Sequence, residues 1–338
     1  MKALVYTAPY RVELQELPQP RPGPGEVLIQ VAAAGICGSD VHGFRGRSAR
    51  RKPPLVMGHE FTGQVAALGP GVDDLPMGQM VVVNPLLPCG VCEWCLAGRG
   101  YICPYRKLIG MDRPGAFADY VVVPRRAIFP LPDGMSPTLG TMVEALANSV
   151  HIIQQNAAGL MHGVAVIGAG TQGLLALQMA KLIGISPRLV TDVEPYRLEM
   201  AQQLGADLVI HASEQDPVQA MLDFTNGRGV DLVIEAVGHS MTRQQAIAIA
   251  APGGRVVFLG LHEVWSELDC QTIVARELTV RGSYAYSSFE FRTALDLLAS
   301  GRVEVSSWLD EAPLTDGQRI FEALADQPGR LIKVALIP

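Results

Sequence analysis

The 338-residue chain carries 27 Lys and Arg against 33 Asp and Glu, a net charge of −6, with 49% hydrophobic and 18% charged residues. That length exceeds one ordinary core and predicts two domains, while the composition excludes a disordered chain and the acidic balance argues against a nucleic-acid partner. Met1–Leu17 lacks the apolar run of a signal peptide, and no stretch reaches the roughly 18 apolar residues that a membrane span needs. The expected compartment is cytoplasmic, where the six Cys are better read as metal or catalytic groups than as disulfides.

The first part of the chain is β-rich. Lys2–Tyr6, Val12–Leu17 and Val27–Ala33 have strand character, with a Pro/Gly turn over Pro18–Gly25. The next stretch places the thiol of Cys37, the hydroxyl of Ser39, the carboxylate of Asp40 and the imidazole of His42 within six residues. Such a set suits a soft metal and a proton route, although a lone Cys after an apolar run also reads as an inert buried residue. Arg45–Lys52 is a basic loop. Leu55–Glu60 then brings in Gly58-His59-Glu60, and Phe61–Leu68 and Met80–Val83 are further strands.

Cys89, Cys92, Cys95 and Cys103 follow within fifteen positions. Three Cys at spacing of three, with a fourth after a short loop, is the pattern of a closed tetrahedral zinc site. Four thiolates leave no open position, so this zinc is structural; a redox dithiol at Cys92/Cys95 is the rival reading. Gly115–Val123 returns to strand pattern. Cys270, without metal-type spacing, reads as a small buried hydrophobe.

From Thr138 the pattern changes to alternating elements. Thr138–Gln155 predicts a helix, Val164–Ile167 a strand, Leu174–Ile183 a helix, Arg188–Thr191 a strand and Pro195–Leu204 a helix stopped by Gly205. Leu208–Ile210, Leu232–Glu235, Val256–Leu259 and Leu278–Arg281 continue as strands, with Pro217–Phe224 and Met241–Ala250 helical between them. This alternation predicts a parallel sheet covered on both faces. Phe289–Ala299 reads as helix, and Lys333–Ile337 is extended and able to rejoin the first domain.

Strand Val164–Ile167 runs into Gly168-Ala169-Gly170-Thr171-Gln172-Gly173 and then a helix. In that context G-x-G-x-x-G is a dinucleotide fingerprint: Gly168 makes the turn, Gly170 admits the pyrophosphate and Gly173 lets helix and strand approach. Asp192 ends the second strand about 20 residues on, where an acidic residue binds the ribose hydroxyls. The alternative is that Asp192 only N-caps the next helix. Asp192 would repel a 2′-phosphate and favours NAD over NADP, while Arg197 can reach the same ribose edge.

Cys37, His59 and the carboxylates Glu60 and Glu144 form a Cys/His/carboxylate set of the kind a catalytic zinc uses. Such a metal favours the alkoxide of an alcohol, whose hydride then passes to the nicotinamide. Ser39 is placed to take the alcohol proton and His42 to pass it on, with Asp40 as an orienting residue. Taken singly, each has an ordinary reading: His59 as a hydrogen-bonded core residue, Glu60 as a partner of a nearby Arg, Glu144 on a solvated helix face.

Gly35–His42, Gly58-His59-Glu60, the four-Cys lobe, Gly115–Tyr120, Gly168–Gly173 and Arg276–Ser283 together resemble the zinc-dependent medium-chain dehydrogenases, within them the polyol branch of sorbitol and galactitol-phosphate dehydrogenases. The resemblance covers essentially the whole chain. It implies an α/β fold, with a doubly wound parallel Rossmann sheet for NAD over residues 148–284 and a β-rich GroES-like catalytic domain from residues 1–147 and 285–338. It also implies a homotetramer or homodimer, and a catalytic zinc on Cys37, His59 and a Glu. Glu144 stands where typical alcohol dehydrogenases have a second Cys, and Glu60 is a further carboxylate that can alternate with it.

Three positions depart from that branch: Glu144-Ala145 replaces Glu-Pro, Gly43 precedes Phe44 where an aromatic directly follows the relay His, and Ala285-Tyr286 replaces Arg-Tyr. The last points away from sorbitol. Arg45, Arg47, Arg50, Arg51 and Lys52 offer a cationic cluster for the phosphate of a sugar-alcohol phosphate, or only a solvated loop. The expected activity is zinc-assisted, NAD-dependent oxidation of a secondary alcohol of a polyol or sugar alcohol, free or phosphorylated, to the ketose. The alternatives are a threonine or butanediol dehydrogenase of the same fold, or a non-catalytic nucleotide-binding protein.

Overall fold

Strand Glu26–Gly35 is the hub of the first unit in the computed structural model, which describes residues 1–157 and 159–338. It runs antiparallel to Glu60–Leu68, to Tyr120–Pro124 and to the C-terminal strand Lys333–Ile337. The sheet continues through Met80–Val83 to Ile128–Pro130 and, beyond the C-terminal strand, to Leu309–Pro313, giving seven strands. A smaller sheet joins Arg11–Glu16, Lys2–Ala8 and Leu55–Val56. Alternate side chains of these strands form one apolar core with Phe44, Phe61, Phe117 and Phe321 at its centre. This unit comprises Met1–Ala145, Ser287–Gly301 and Val305–Pro338.

The second unit comprises Leu146–Tyr286 and Arg302–Glu304. Its six strands are all parallel, in the order Leu208–His211, Ser186–Asp192, His162–Ile167, Val230–Glu235, Ala250–Phe258, Thr279–Gly282. Numbered by sequence this is the doubly wound order 3-2-1-4-5-6, whose direction reverses beside the first strand. Val164, Ala165, Val166, Leu232, Val233 and Ile234 are fully buried, as strands covered on both faces require. No helix among the described residues is long and apolar enough to cross a membrane.

Local differences from the sequence expectations have identifiable causes. The helix expected over Thr138–Gln155 is two helices, Pro137–Gly140 and Met142–Asn156, because the Thr141 hydroxyl and N–H both turn back to the Thr138 carbonyl. The strand expected at Gly115–Val123 begins only at Tyr120; Gly115, Ala116 and Phe117 donate instead to the carbonyls of Val56, Gly58 and Met57. Cys270, expected to be buried, is exposed at the start of helix Cys270–Ala275.

Candidate active site

Two backbone arms carry the first cluster. Strand Glu26–Gly35 ends just before Cys37, which N-caps the short helix Gly38–Phe44; the Cys37 N–H donates to Asp40 Oδ2 at 3.2 Å. The second arm is Met57-Gly58-His59-Glu60. Gly58 has φ +94°, and a Cβ there would meet the Phe117 ring at 2.8 Å, so the close approach of Gly115–Phe117 requires glycine. Residues 115–117, read from sequence as strand, therefore serve to fix the His59 arm.

The donor atoms of Cys37, His59 and Glu60 lie within 4.8 Å of one another. Thiolate, imidazole and carboxylate are donors that zinc accepts. Glu60 Oε1 is buried without a hydrogen-bond partner, and a cation would satisfy that orphan. The residues therefore fit a metal ion. Glu144 stands outside this set. It lies, almost fully buried, in the first turn of helix Met142–Asn156 after the break at Thr141.

Asp40 is wholly buried and orients the cluster. Its Oδ1 lies 3.3 Å from His59 Nδ1 and 3.1 Å from Arg51 Nη2. Burial works against its charge, but His59, Arg51 and the Cys37 N–H outweigh that and hold its pKa down to about 2. A carboxylate beside Nδ1 would leave Nε2 as the nitrogen for a metal, the arrangement common behind metal-bound histidines.

Arg51 corrects the reading of the basic loop. It is 4% exposed, paired with Asp40, and donates to Ser39 Oγ at 2.9 Å. Its stem lies across Gly43, where a Cβ would sit 2.5 Å from Arg51 Cδ. The missing aromatic after His42 thus makes room for an internal cation. Arg50 is paired with Asp112 at 2.5 Å. Arg51 is therefore committed inside the site, and Arg50 already faces a carboxylate.

Ser39 and His42 lie three residues apart on one short helix, hence on the same face. His42 Nε2 is 3.1 Å from the Arg47 carbonyl, so Nε2 carries the proton and Nδ1 is the acceptor of the neutral ring. Burial, helped by the charges of Arg47, Arg51 and Arg45, holds its pKa below the ordinary value against that hydrogen bond. His42 is then a neutral base near pH 7.

The second cluster is Cys89, Cys92, Cys95 and Cys103, all free thiols. Cys92 caps the helix Glu93–Leu96, and the turn Gly100–Ile102 delivers Cys103. Sulfur separations are 3.5 Å for Cys92–Cys95, 3.7 Å for Cys92–Cys103 and 3.9 Å for Cys89–Cys95. Four zinc–sulfur bonds of about 2.3 Å in a tetrahedron place the sulfurs about 3.8 Å apart. N–H groups of Val91 and Cys92 draw Cys89 down to about 6, whereas burial and the neighbouring sulfurs push Cys95 up to about 12. A divalent cation is what would let all four ionise together.

The glycine turn of the second unit is built as its spacing requires. Gly168 has φ +94° and donates to the Thr191 carbonyl at 2.8 Å, and a Cβ on Gly173 would fall on the Gly168 carbonyl oxygen. A Cβ on Gly170 would meet nothing within 4 Å. The fold does not need glycine there; a ligand lying over the turn would. Asp192 Oδ2 accepts from the Ala169 N–H at 2.6 Å, and Oδ1 accepts from Val193 and Glu194. Asp192 thus ties the glycine turn to the next turn, and the N-cap of helix Pro195–Leu204 is Glu194. Arg197 lies in the first turn of that helix, its Nε buried without a hydrogen-bond partner.

A doubly wound sheet with a dinucleotide turn, joined to a unit holding two metal-type clusters, defines a metal-dependent dehydrogenase. Residues 23–133 match the alcohol dehydrogenase GroES-like domain and residues 173–300 the zinc-binding dehydrogenase domain. The chain belongs to the zinc-dependent medium-chain alcohol dehydrogenases, whose cofactors are zinc and NAD(P). It is 37% identical to an L-threonine 3-dehydrogenase of Bacillus velezensis over 100% of this chain and 99% of that one. Among solved structures it resembles a zinc-binding dehydrogenase from Sinorhizobium meliloti bound to NADP (TM-score 0.92, 32% identity, covering 100% of this chain and 99% of that one). It also resembles galactitol-1-phosphate dehydrogenase from Escherichia coli (TM-score 0.91, 32% identity, 100% of both chains). The polyol branch is therefore met among the structural neighbours, whereas L-threonine 3-dehydrogenases are met among the relatives by sequence.

From the sequence, Arg51 reads only as a phosphate ligand or a solvated-loop residue, and Lys333 has no role in the site. Lys333 is 1% exposed and paired with Glu60. Its signal was a lone charge opening the apolar strand Lys-Val-Ala-Leu-Ile.

Proposed function

We propose that this protein oxidises the secondary alcohol of a small polar substrate to the ketone with NAD as acceptor, L-threonine being the first candidate. The observation that carries the substrate is the end-to-end similarity to an L-threonine 3-dehydrogenase, including its full length in the alignment. Retention of Cys37, His59 and Glu60 as one cluster supports catalysis over mere nucleotide binding.

Cys37, His59 and Glu60 would hold the catalytic metal, and the four Cys of the lobe a structural one. Zinc bound in the first site supplies Lewis-acid polarisation of the substrate hydroxyl, the effect that brings water from a pKa near 15.7 to about 7, and bound NAD supplies the hydride acceptor. Asp40 keeps His59 in its tautomer. Ser39, oriented by the Arg51 donor, accepts the substrate proton while giving up its own. His42 takes that proton at Nδ1, because its Nε2–H is committed to Arg47. Asp192 accepts from the ribose hydroxyls and disfavours a 2′-phosphate. Arg197 lies at that end of the second strand, and Glu144 supplies a second carboxylate near Lys333.

Similarity to galactitol-1-phosphate dehydrogenase supports a second reading, in which the substrate is a sugar alcohol or its phosphate. Measuring NAD reduction with L-threonine, 2,3-butanediol, a stereochemically complete C4–C6 polyol panel and their phosphates separates the two. The threonine reading expects the highest kcat/KM with L-threonine. A higher value for a polyol or its phosphate replaces it with the second reading.

A further inference from the structure

Lys333 is a buried charge for which the proton route has no use. It opens strand Lys333–Ile337, and the sheet register explains where it ends up. On one edge of strand Glu26–Gly35, Ala335 pairs with Gly35; on the other, Gly35 pairs with Glu60. Gly35 has no side chain to separate its neighbours. A Cβ there would lie 2.7 Å from Glu60 Oε2 and 3.2 Å from Lys333 Cε. The two side chains meet across this gap in an ion pair between Lys333 Nζ and Glu60 Oε2, each 1% exposed.

The pair divides the Glu60 carboxylate. Oε2 is committed to Lys333, while Oε1 is buried without a hydrogen-bond partner and Glu60 stays within the Cys37–His59 cluster. Held against Glu60 Oε2 with both side chains buried, the ammonium is a positive charge beside the metal ligands. Such a charge repels a dication and offsets the carboxylate that would attract it.

We infer that Lys333 is a positioning residue of the metal centre: by holding Glu60 Oε2 it limits Glu60 to a weak donor through Oε1 and so keeps one coordination position open to exchange. The inference rests on the reading of Cys37, His59 and Glu60 as metal ligands. Without Lys333, Glu60 would be a buried, uncompensated carboxylate, and the nearest compensation would be the metal itself. A tighter and less exchangeable site would follow.

The test compares zinc release to a chromogenic chelator, and the visible spectrum after cobalt exchange, in the wild type, Lys333→Met, Lys333→Arg, Glu60→Gln and Glu60→Gln/Lys333→Met. Expected is that Lys333→Met releases the faster-leaving zinc about tenfold more slowly or beyond. Its cobalt d–d bands should weaken as Glu60 joins the metal fully, and kcat should fall more than KM changes. Lys333→Arg should restore wild-type release and spectrum. Unchanged release and spectrum in folded Lys333→Met overturn the proposal. If Lys333→Met does not fold, Glu60→Gln and the double variant decide: identical release supports action through Glu60, and a difference between them overturns it. A failed metal-site reading looks different, since the wild type would then bind one zinc per chain, unaltered by Cys37→Ser.

Discussion

Asp40 and His59, nineteen positions apart and on different backbone arms, meet with Oδ1 and Nδ1 3.3 Å apart, both buried. With Nδ1 against a carboxylate, Nε2 is the imidazole nitrogen that would be left for a metal. Replacing Asp40 by Asn keeps the shape but removes the charge that holds the ring. Zinc affinity at the Cys37 site should fall about 10- to 100-fold by chelator competition, with the four-Cys zinc retained. Equal affinity would show that Asp40 serves only the fold.

The glycine turn separates folding from binding. Gly173→Ala places a methyl on the Gly168 carbonyl and should cost about 1–3 kcal/mol of stability in denaturant unfolding. Gly170→Ala meets no atom within 4 Å and should cost less than about 1 kcal/mol, while markedly weakening NADH binding by fluorescence titration. Undiminished NADH affinity in Gly170→Ala would remove the pyrophosphate from this turn.

Asp192→Ala tests cofactor choice. The carboxylate now accepts three backbone N–H groups, so the variant loosens two turns as well as the ribose contact. Loosening alone weakens NAD and NADP together. The ribose role predicts a shift of the NAD/NADP preference by roughly tenfold or more toward NADP, and an unchanged ratio would argue for the structural role alone.

Much of this architecture is legible locally. G-x-G-x-x-G needs only six consecutive residues, and the four Cys need only fifteen, so their spacing carries their geometry. Arg51 and Lys333 were not legible, because their partners are set by packing. Lys333 reaches Glu60, 273 residues away, only through the register of three strands around Gly35. Arg51 sits in a run of basic residues that reads as a phosphate-binding cluster or a solvated loop, and only the empty side of Gly43 lets it turn inward. Glu144 shows the converse: the helix was foreseen, but the break at Thr141, a side-chain-to-backbone choice, was not.

The cysteine lobe has almost no buried apolar residue of its own in helix Glu93–Leu96 or turn Gly100–Ile102. A metal held by the four Cys would supply its order, worth on the order of 10 kcal/mol. Cys103→Ser should lower zinc content by one ion per chain and open residues 89–103 to limited proteolysis. A lobe that stays resistant with one zinc lost would refute a structural role for that ion.

Zinc-dependent hydride transfer at the Cys37 cluster is tested most directly by NADH formation in Cys37→Ser against the wild type. Both proteins are first shown by metal analysis to keep the four-Cys zinc and by titration to bind NADH equally. The wild type should reduce NAD with L-threonine or another secondary alcohol of the panel, and Cys37→Ser should form no measurable NADH. Wild-type rates in Cys37→Ser would contradict it.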